Sequence, residues 1–429
     1  MDRTEVLIVG AGLAGLSATL HLRRPYLLLE KEDEPGGVCR SVRCGGSTYD
    51  YTGHLLHLRR PQMRELVDEI LPGRMAERER RAAIFSHGRF VPYPFQANFH
   101  PLPREVVREC LLGFVRAQEE QKADPRTFRE WALATFGEGI CRHFMFPYNE
   151  KLHCRGLDEM TADWVSWSVP RPDLETVVDG ALGTTTEGLG YNPSFLYPKE
   201  GGIEALPRAL AERVENLETG QEVVRIDAGR RVAETAAGRE IGYDHLVSTM
   251  PLPTLLEKLD GGHPRASEWA AGLRWVNVFN LNITLDREAP WPWQWLYLPE
   301  PEFRCYRIGI ASNFSPALAP PGCCAIYTEV SYRPEEKPDE EELRERILGD
   351  LRLLGLLQDA VEVKNEVALR IEPAYVIHDR FRADNLEAIH ARLRESSILS
   401  IGRWGSWEYS GMEDALWQGR EAASLLDGN

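Results

Sequence analysis

Two kinds of hydrophobic pattern alternate along this chain. Val6 to Val9 is a short unbroken apolar run, the mark of a parallel strand covered on both faces. A helical pattern follows through Leu22, and Tyr26 to Leu29 is a second apolar run that ends at Glu30. Between 104 and 160 apolar residues recur at helical spacing, in PREVVRECLLGFVRAQEEQ and again in TFREWALATFG, punctuated by Pro103 and Pro125. YPKEGGIEALPRALAERV, 197–214, reads as a Gly-Gly turn feeding another helix. EVVRIDAGRRVAETAAGREIGYDHLVSTMP then breaks into short strands. Residues 270–335, rich in strand formers and proline, predict an antiparallel sheet. ILSIGRWGSWEYSGMEDALWQGREAASLL closes the chain as strand, glycine-rich loop and helix.

One stretch fits neither pattern. FVPYPFQANF, 90–99, is too broken by Pro92 and Pro94 for a central strand or a helix interior. It reads as a rigid extended piece that presents Tyr93, Phe95 and Gln96.

The first sixty residues carry a recognisable chemistry. Gly10-x-Gly12-x-x-Gly15 lies between the first strand and its helix, and Glu30 stands twenty residues after Gly10. That context makes the triplet a dinucleotide-binding turn. Gly10 permits the tight turn, Gly12 lets backbone approach a pyrophosphate, and Gly15 lets helix and strand pack closely. The helix N-terminus adds N–H groups and partial positive charge for the phosphates. Glu30 is placed to accept from ribose hydroxyls.

Composition narrows the classes. At 429 residues the chain is long for one core and suggests roughly two or three subdomains. The formal net charge of −16 argues against a nucleic-acid footprint, so an anionic ligand must be held by a local cationic cluster. The eight cysteines form no C-x-x-C pair and no zinc spacing, so reduced thiols and no metal site are expected. The start, MDRTE, lacks a signal-peptide pattern, and the apolar stretch 6–22 is too short and polar to span a bilayer. A cytoplasmic protein with no membrane partner is the expectation.

After Glu30, KEDEPGGVCRS resembles the second signature of the large FAD family that contains amine oxidases, protoporphyrinogen oxidase and UDP-galactopyranose mutase. The resemblance implies FAD, with Gly37 and Arg40 near its ribityl-phosphate region. Further blocks are similar to the eukaryotic-type UDP-galactopyranose mutases, in that family's order: TGHLLH (52–57), VPYPFQANF (91–99), FMFPYNEKL (144–152), YNPSFLYPKEGG (191–202), LVSTMP (246–251), WLYLPE (295–300), YRIGIASNFSP (306–316) and GRWGSWEY (402–409).

This implies an α/β fold: a Rossmann-like FAD domain (1–90, 191–255 and 395–429), a helical domain lining the substrate cleft (91–190) and an antiparallel sheet domain (256–394). The implied activity is that of a flavoprotein isomerase. It is a redox-neutral contraction of a nucleotide-sugar ring, through a covalent sugar adduct on N5 of reduced flavin. The implied partners are a UDP-sugar and an electron donor, NAD(P)H or a flavin reductase.

The residues carry over one by one. Arg307 matches a diphosphate-binding arginine, and Tyr297, Tyr375 and Tyr409 match tyrosines around the diphosphate and sugar. His54 matches a histidine that packs near the flavin. Arg403, Gly411 and Met412 match the flavin's surroundings, and Val224 lies on the strand expected near its adenine. Gln96, Phe144, Tyr148 and Asn149 match the nucleotide end of the cleft, and Asn192 a further cleft position.

Departures accompany the matches. His153 stands where the family has a tryptophan, and Ser168 where it has a second diphosphate arginine, with Arg171 and Lys151 as candidate replacements. Phe314 replaces a tyrosine, and Met412, followed by Glu413, an asparagine. An altered nucleotide, sugar or ring closure, for example onto carbon to give a cyclitol, stays open beside the mutase reading. So do an oxygen-consuming amine-oxidase-like or protoporphyrinogen-oxidase-like enzyme and an idle FAD-binding scaffold.

Overall fold

The computed structural model describes residues 2–119, 124–165, 169–184, 194–260 and 264–428. The first apolar run becomes the strand Asp2–Val9, and Val6, Leu7 and Ile8 are fully buried, as a strand covered on both faces requires. It pairs in parallel with Tyr26–Leu29 on one side and Glu240–Ser248 on the other. Ile398–Ser400 also runs parallel to Glu240–Ser248, whereas Val232–Thr235 and Val223–Asp227 add antiparallel strands. Leu217–Glu218 and Leu259–Asp260 complete this eight-stranded sheet. Three stretches far apart in sequence therefore build one sheet.

A seven-stranded sheet stands beside it, in the order Val363–Val376, Trp275–Leu285, Cys324–Tyr332, Arg307–Ile310, Trp295–Tyr297, Ala82–Ser86, Arg89–Pro92. Its pairings are antiparallel except that between Trp295–Tyr297 and Ala82–Ser86. The proline-rich stretch lies at its edge, where a missing N–H breaks no ladder. The strand stops at Pro92, and the backbone is still extended at Pro94. Phe95–Ala97 is a 3-10 turn, with Asn98 N–H donating to the Phe95 carbonyl.

The helical pattern of 104–160 resolves into Arg104–Glu119, Phe128–Ile140 and Phe146–His153. Thr127 opens the second with a capping box closed by Glu130. At the C-terminus the helix Met412–Asp427 packs on Leu13–His21, where Ser17 Oγ donates to the Leu416 carbonyl at 2.6 Å. The end of the chain thereby returns to the glycine-rich turn. The fold is the α/β arrangement with helical and antiparallel-sheet parts expected from the resemblance. Among the described residues no helix is long and apolar enough to cross a membrane. None of the eight cysteines forms a disulfide with another described residue.

Candidate active site

The glycine turn leaves room at Gly12. Gly10 has φ +99°, and a Cβ there would lie 2.1 Å from Thr249 Oγ1. A Cβ on Gly15 would lie 2.0 Å from the Gly10 carbonyl oxygen, so the helix needs a hydrogen there to approach the strand. Gly12 differs: a Cβ on it would meet nothing within 4 Å. It caps the helix Leu13–His21 over open space, with the helix N-terminus beside it. Gly37 closes in from the next loop, its Cβ direction 3.5 Å from Gly12 Cα, and Gly36 N–H donates to the Ala11 carbonyl. These residues fit a dinucleotide pyrophosphate.

Glu30 is 6% exposed and braces the turn, accepting from the backbone N–H of Ala11 (2.7 Å) and Glu32 (3.0 Å). Arg40 donates to the Gly37 carbonyl and to Glu32, over the Tyr51 ring. Val224 lies on the exposed side of its strand.

The second cluster is aromatic. Phe95 is fully buried and stacks on Phe144 at 5.0 Å, Phe144 stacks on Tyr148 at 5.5 Å, and Tyr148 meets Tyr297 edge-on at 5.3 Å. Tyr297 in turn stacks on Tyr93 at 5.4 Å. Arg307 is the register partner of Tyr297 and donates to the Tyr375 hydroxyl at 3.2 Å. Tyr375 stacks on Tyr409 at 6.1 Å, and the Arg403 guanidinium lies over both rings while donating to the Ser410 carbonyl. The structure thus brings Tyr93, Phe144, Tyr148, Tyr297, Arg307, Tyr375, Arg403 and Tyr409 into one connected cluster.

His54 feels this cluster. Burial, reinforced by the charges of Arg403 and Arg307, pushes its imidazole down to about 4, so it is neutral near pH 7. Its Nδ1 is buried without a hydrogen-bond partner. The loop that carries it is fixed from two sides. A Cβ on Gly53 would lie 2.2 Å from the Tyr327 hydroxyl, and Glu413 takes the backbone N–H groups of Arg59 and Arg60 at 2.6 Å each. Glu413, which follows the departure Met412, is 2% exposed and acts as that clamp.

Other expected residues lie elsewhere or are already engaged. Gln96 is 1% exposed and donates to the Pro170 carbonyl, and Asn149 donates to the Met145 carbonyl. Lys151 does not replace a lost arginine: its Nζ donates to the carbonyls of Leu298, Glu300 and Cys305. Arg171 is exposed. His153 is 5% exposed and packs edge-on against Trp164 at 5.8 Å, a buried contact rather than an open wall for a base. Phe314 sits among Phe195, Tyr197, Trp295 and Tyr327. Gly411 and Met412 begin the C-terminal helix. Asn192 and Ser168 lie outside the described residues.

Two residues of the cluster escape the sequence reading. Glu329 is fully buried and binds Arg307 with both oxygens. Arg80 lies between Tyr93 (4.5 Å) and Trp295 (5.0 Å). A carboxylate inside the apolar run CCAIYTEVSY was the signal available for Glu329; Arg80, in ERERRAAIF, resembles any surface charge.

The family model described as flavin containing amine oxidoreductase matches residues 13–426. The chain belongs to that family. Its cofactor is FAD. In this flavoenzyme the turn Gly10–Gly15 and the Gly36–Gly37 loop meet at Gly12 and leave the open backbone that a cofactor pyrophosphate would need.

A crystal structure of reduced UDP-galactopyranose mutase is similar with TM-score 0.95 and 29% identity, over 99% of this chain and 96% of that one. Coproporphyrinogen III oxidase of Mycobacterium tuberculosis (strain ATCC 25618 / H37Rv) is 23% identical over 66% of this chain and 67% of its own. Phytoene dehydrogenase of Streptomyces griseus is 29% identical over 58% of this chain and 54% of its own. A putrescine oxidase structure with bound putrescine aligns at TM-score 0.67 and 14% identity, over 100% of this chain and 99% of that one, a likeness of fold alone.

Proposed function

We propose that the flavoenzyme isomerises a nucleotide sugar without net oxidation, by pyranose–furanose ring contraction. The observation that carries this reading is the near-complete structural match to reduced UDP-galactopyranose mutase. The tyrosine–arginine cluster suits it chemically. Phenol hydroxyls on Tyr297, Tyr375 and Tyr409 donate to phosphate oxygens without adding charge. Arg307 and Arg403 supply the guanidinium groups that an acidic protein needs for an anion.

Reduced flavin, when bound, supplies a nitrogen nucleophile for the sugar's anomeric carbon and is unchanged in oxidation state after turnover. His54, held neutral, keeps Nδ1 free of other partners at pH 7. Phe144, stacked on Tyr148, and Tyr297, edge-on to it, give the cleft an aromatic wall.

A second reading keeps the substrate class and changes the ring closure or the sugar. The departures at His153, Phe314 and Met412 favour it. An oxidase reading rests on the similarity to coproporphyrinogen III oxidase. One experiment separates the three. Dithionite-reduced enzyme is incubated anaerobically with UDP-galactofuranose and a panel of nucleotide sugars, and products are resolved by chromatography. UDP-galactopyranose from the furanose supports the mutase. An isomer from another sugar alone supports the second reading. Oxygen uptake on coproporphyrinogen in a parallel aerobic assay without dithionite, with no isomer from any sugar in the anaerobic one, overturns both.

A further inference from the structure

We propose that a cavity behind Tyr409 is a second small-molecule site, for a neutral polyhydroxylated ring such as a pyranoside. The cavity holds about 380 Å³, within the range of small-molecule sites, which begins at about 300 Å³. It opens between three segments: Asp163–Trp164, the first turns of the helix Arg380–Glu395, and Glu408–Tyr409. Tyr409 is the partition. It stacks on Tyr375 of the tyrosine cluster at 6.1 Å, is 39% exposed, and also lines this cavity. Arg307, Tyr148 and Tyr297 do not line it, so the cavity is separate from the candidate active site.

The floor is Arg382, whose side chain is 7% exposed. Its Nε donates to the Trp407 carbonyl at 2.9 Å. Nη1 faces Asp163 Oδ2 at 3.6 Å and Nη2 faces Glu408 Oε1 at 3.9 Å, attracted but beyond hydrogen-bond distance. Among the described residues nothing closer accepts from either nitrogen. A buried guanidinium with terminal N–H groups left unbonded is costly, so an oxygen belongs in each gap. The group that fits accepts from the guanidinium and donates to the carboxylate, and a hydroxyl does both. An anion brings no donor and meets three carboxylates, Asp163, Glu387 and Glu408. An ammonium brings no acceptor for Arg382. Two gaps on one guanidinium call for two hydroxyls on one frame, and the aromatic walls of Trp164 and Tyr409 suit the C–H face of a ring. Water can fill either gap, but a ring carrying both hydroxyls does so without immobilising two separate molecules.

The test uses the FAD-loaded protein and saturation-transfer NMR. Methyl β-galactopyranoside is the neutral probe, and lactose shows whether the end of a saccharide chain fits as well as a single ring. Glucuronate and glucosamine are the anionic and cationic controls. Ala383→Trp fills the cavity from its exposed wall, and Glu408→Ala removes one side of a gap. Melting temperatures control for folding. The expected result is transfer to the neutral probe that persists in excess UDP, weakens about tenfold or more in Glu408→Ala, and disappears in Ala383→Trp. Transfer that UDP abolishes, or that survives Ala383→Trp, places the sugar elsewhere and overturns the inference. Tighter binding of glucuronate or glucosamine than of the neutral probe overturns it through the ligand class. No transfer to the probe or to lactose leaves water as the only bridge and overturns it as well. If Ala383→Trp fails to fold, Glu408→Ala decides: unchanged affinity overturns the inference. It does not depend on the nucleotide-sugar reading, because an enzyme that ignores UDP still passes or fails on these two variants.

Discussion

Arg307 and Glu329 face each other across neighbouring antiparallel strands and share two hydrogen bonds, Nε to Oε2 at 3.0 Å and Nη2 to Oε1 at 2.8 Å. Glu329 is fully buried, and the Arg307 side chain is 20% exposed. Removing one partner strands a charge away from water, which costs about 3–5 kcal/mol. Glu329→Gln therefore lowers the melting temperature sharply. The double variant Arg307→Met with Glu329→Leu, which leaves no orphan charge, is less destabilised than Glu329→Gln. Thermal melts of the variants check the order. A double variant as weak as the sum of its singles contradicts the pairing.

The glycine turn separates cofactor binding from folding. Gly12→Val places its side chain in open space, so the protein folds but loses FAD. Gly15→Val drives its Cβ into the Gly10 carbonyl and destabilises the fold itself. Absorbance of released flavin and circular dichroism on both variants distinguish the two. Stoichiometric FAD in Gly12→Val contradicts the assigned turn.

Acid loosens the contact around Trp164. His153 and His378 are buried on this indole, at 5.8 and 5.7 Å, with no partner on either ring nitrogen. Burial, helped by the Arg155 charge, pushes His153 down to about 4, and burial with the Arg382 charge lowers His378 as well. The unfolded chain takes up these protons near 6.5 and the folded chain does not. Stability is therefore complete above about pH 6.5 and falls as pH drops toward 4, by up to about 1.4 kcal/mol per pH unit for each histidine. His153→Leu should flatten the profile of melting temperature against pH over this range; an unchanged slope removes His153 from the account.

His153→Trp does not restore a nucleotide wall. The site is closed by Trp164, and the larger ring overpacks it at a cost of about 1–3 kcal/mol. A lowered melting temperature without tighter UDP binding is expected. Tighter UDP binding places residue 153 in the cleft after all.

The cofactor half was legible because its signals are local. A strand, a glycine turn and a helix follow one another within Val6–Leu22, and Gly10, Gly12 and Gly15 stand as their spacing requires. The aromatic cluster is assembled from Tyr93, Tyr148, Tyr297, Arg307, Tyr375 and Tyr409, which lie on six separate segments. Periodicity does not register such long-range neighbours, and the resemblance was needed to collect them. What neither gave is how each polar group is satisfied. Lys151 could be read as a phosphate ligand only while its three carbonyl acceptors, all beyond residue 297, were unknown. Glu329 had no interpretation without Arg307 beside it.

Tyr327 is wedged between two glycines, Gly53 on the His54 loop and Gly309 on the neighbouring strand, and a Cβ on either would run into its ring or hydroxyl. The fit joins two parts of the chain that are remote in sequence. Grafting the His54 loop alone from a relative that carries a side chain at position 53 would jam against this phenol. Loop and sheet are interchangeable only as a matched set, so modular redesign of this protein has its natural cut points outside both.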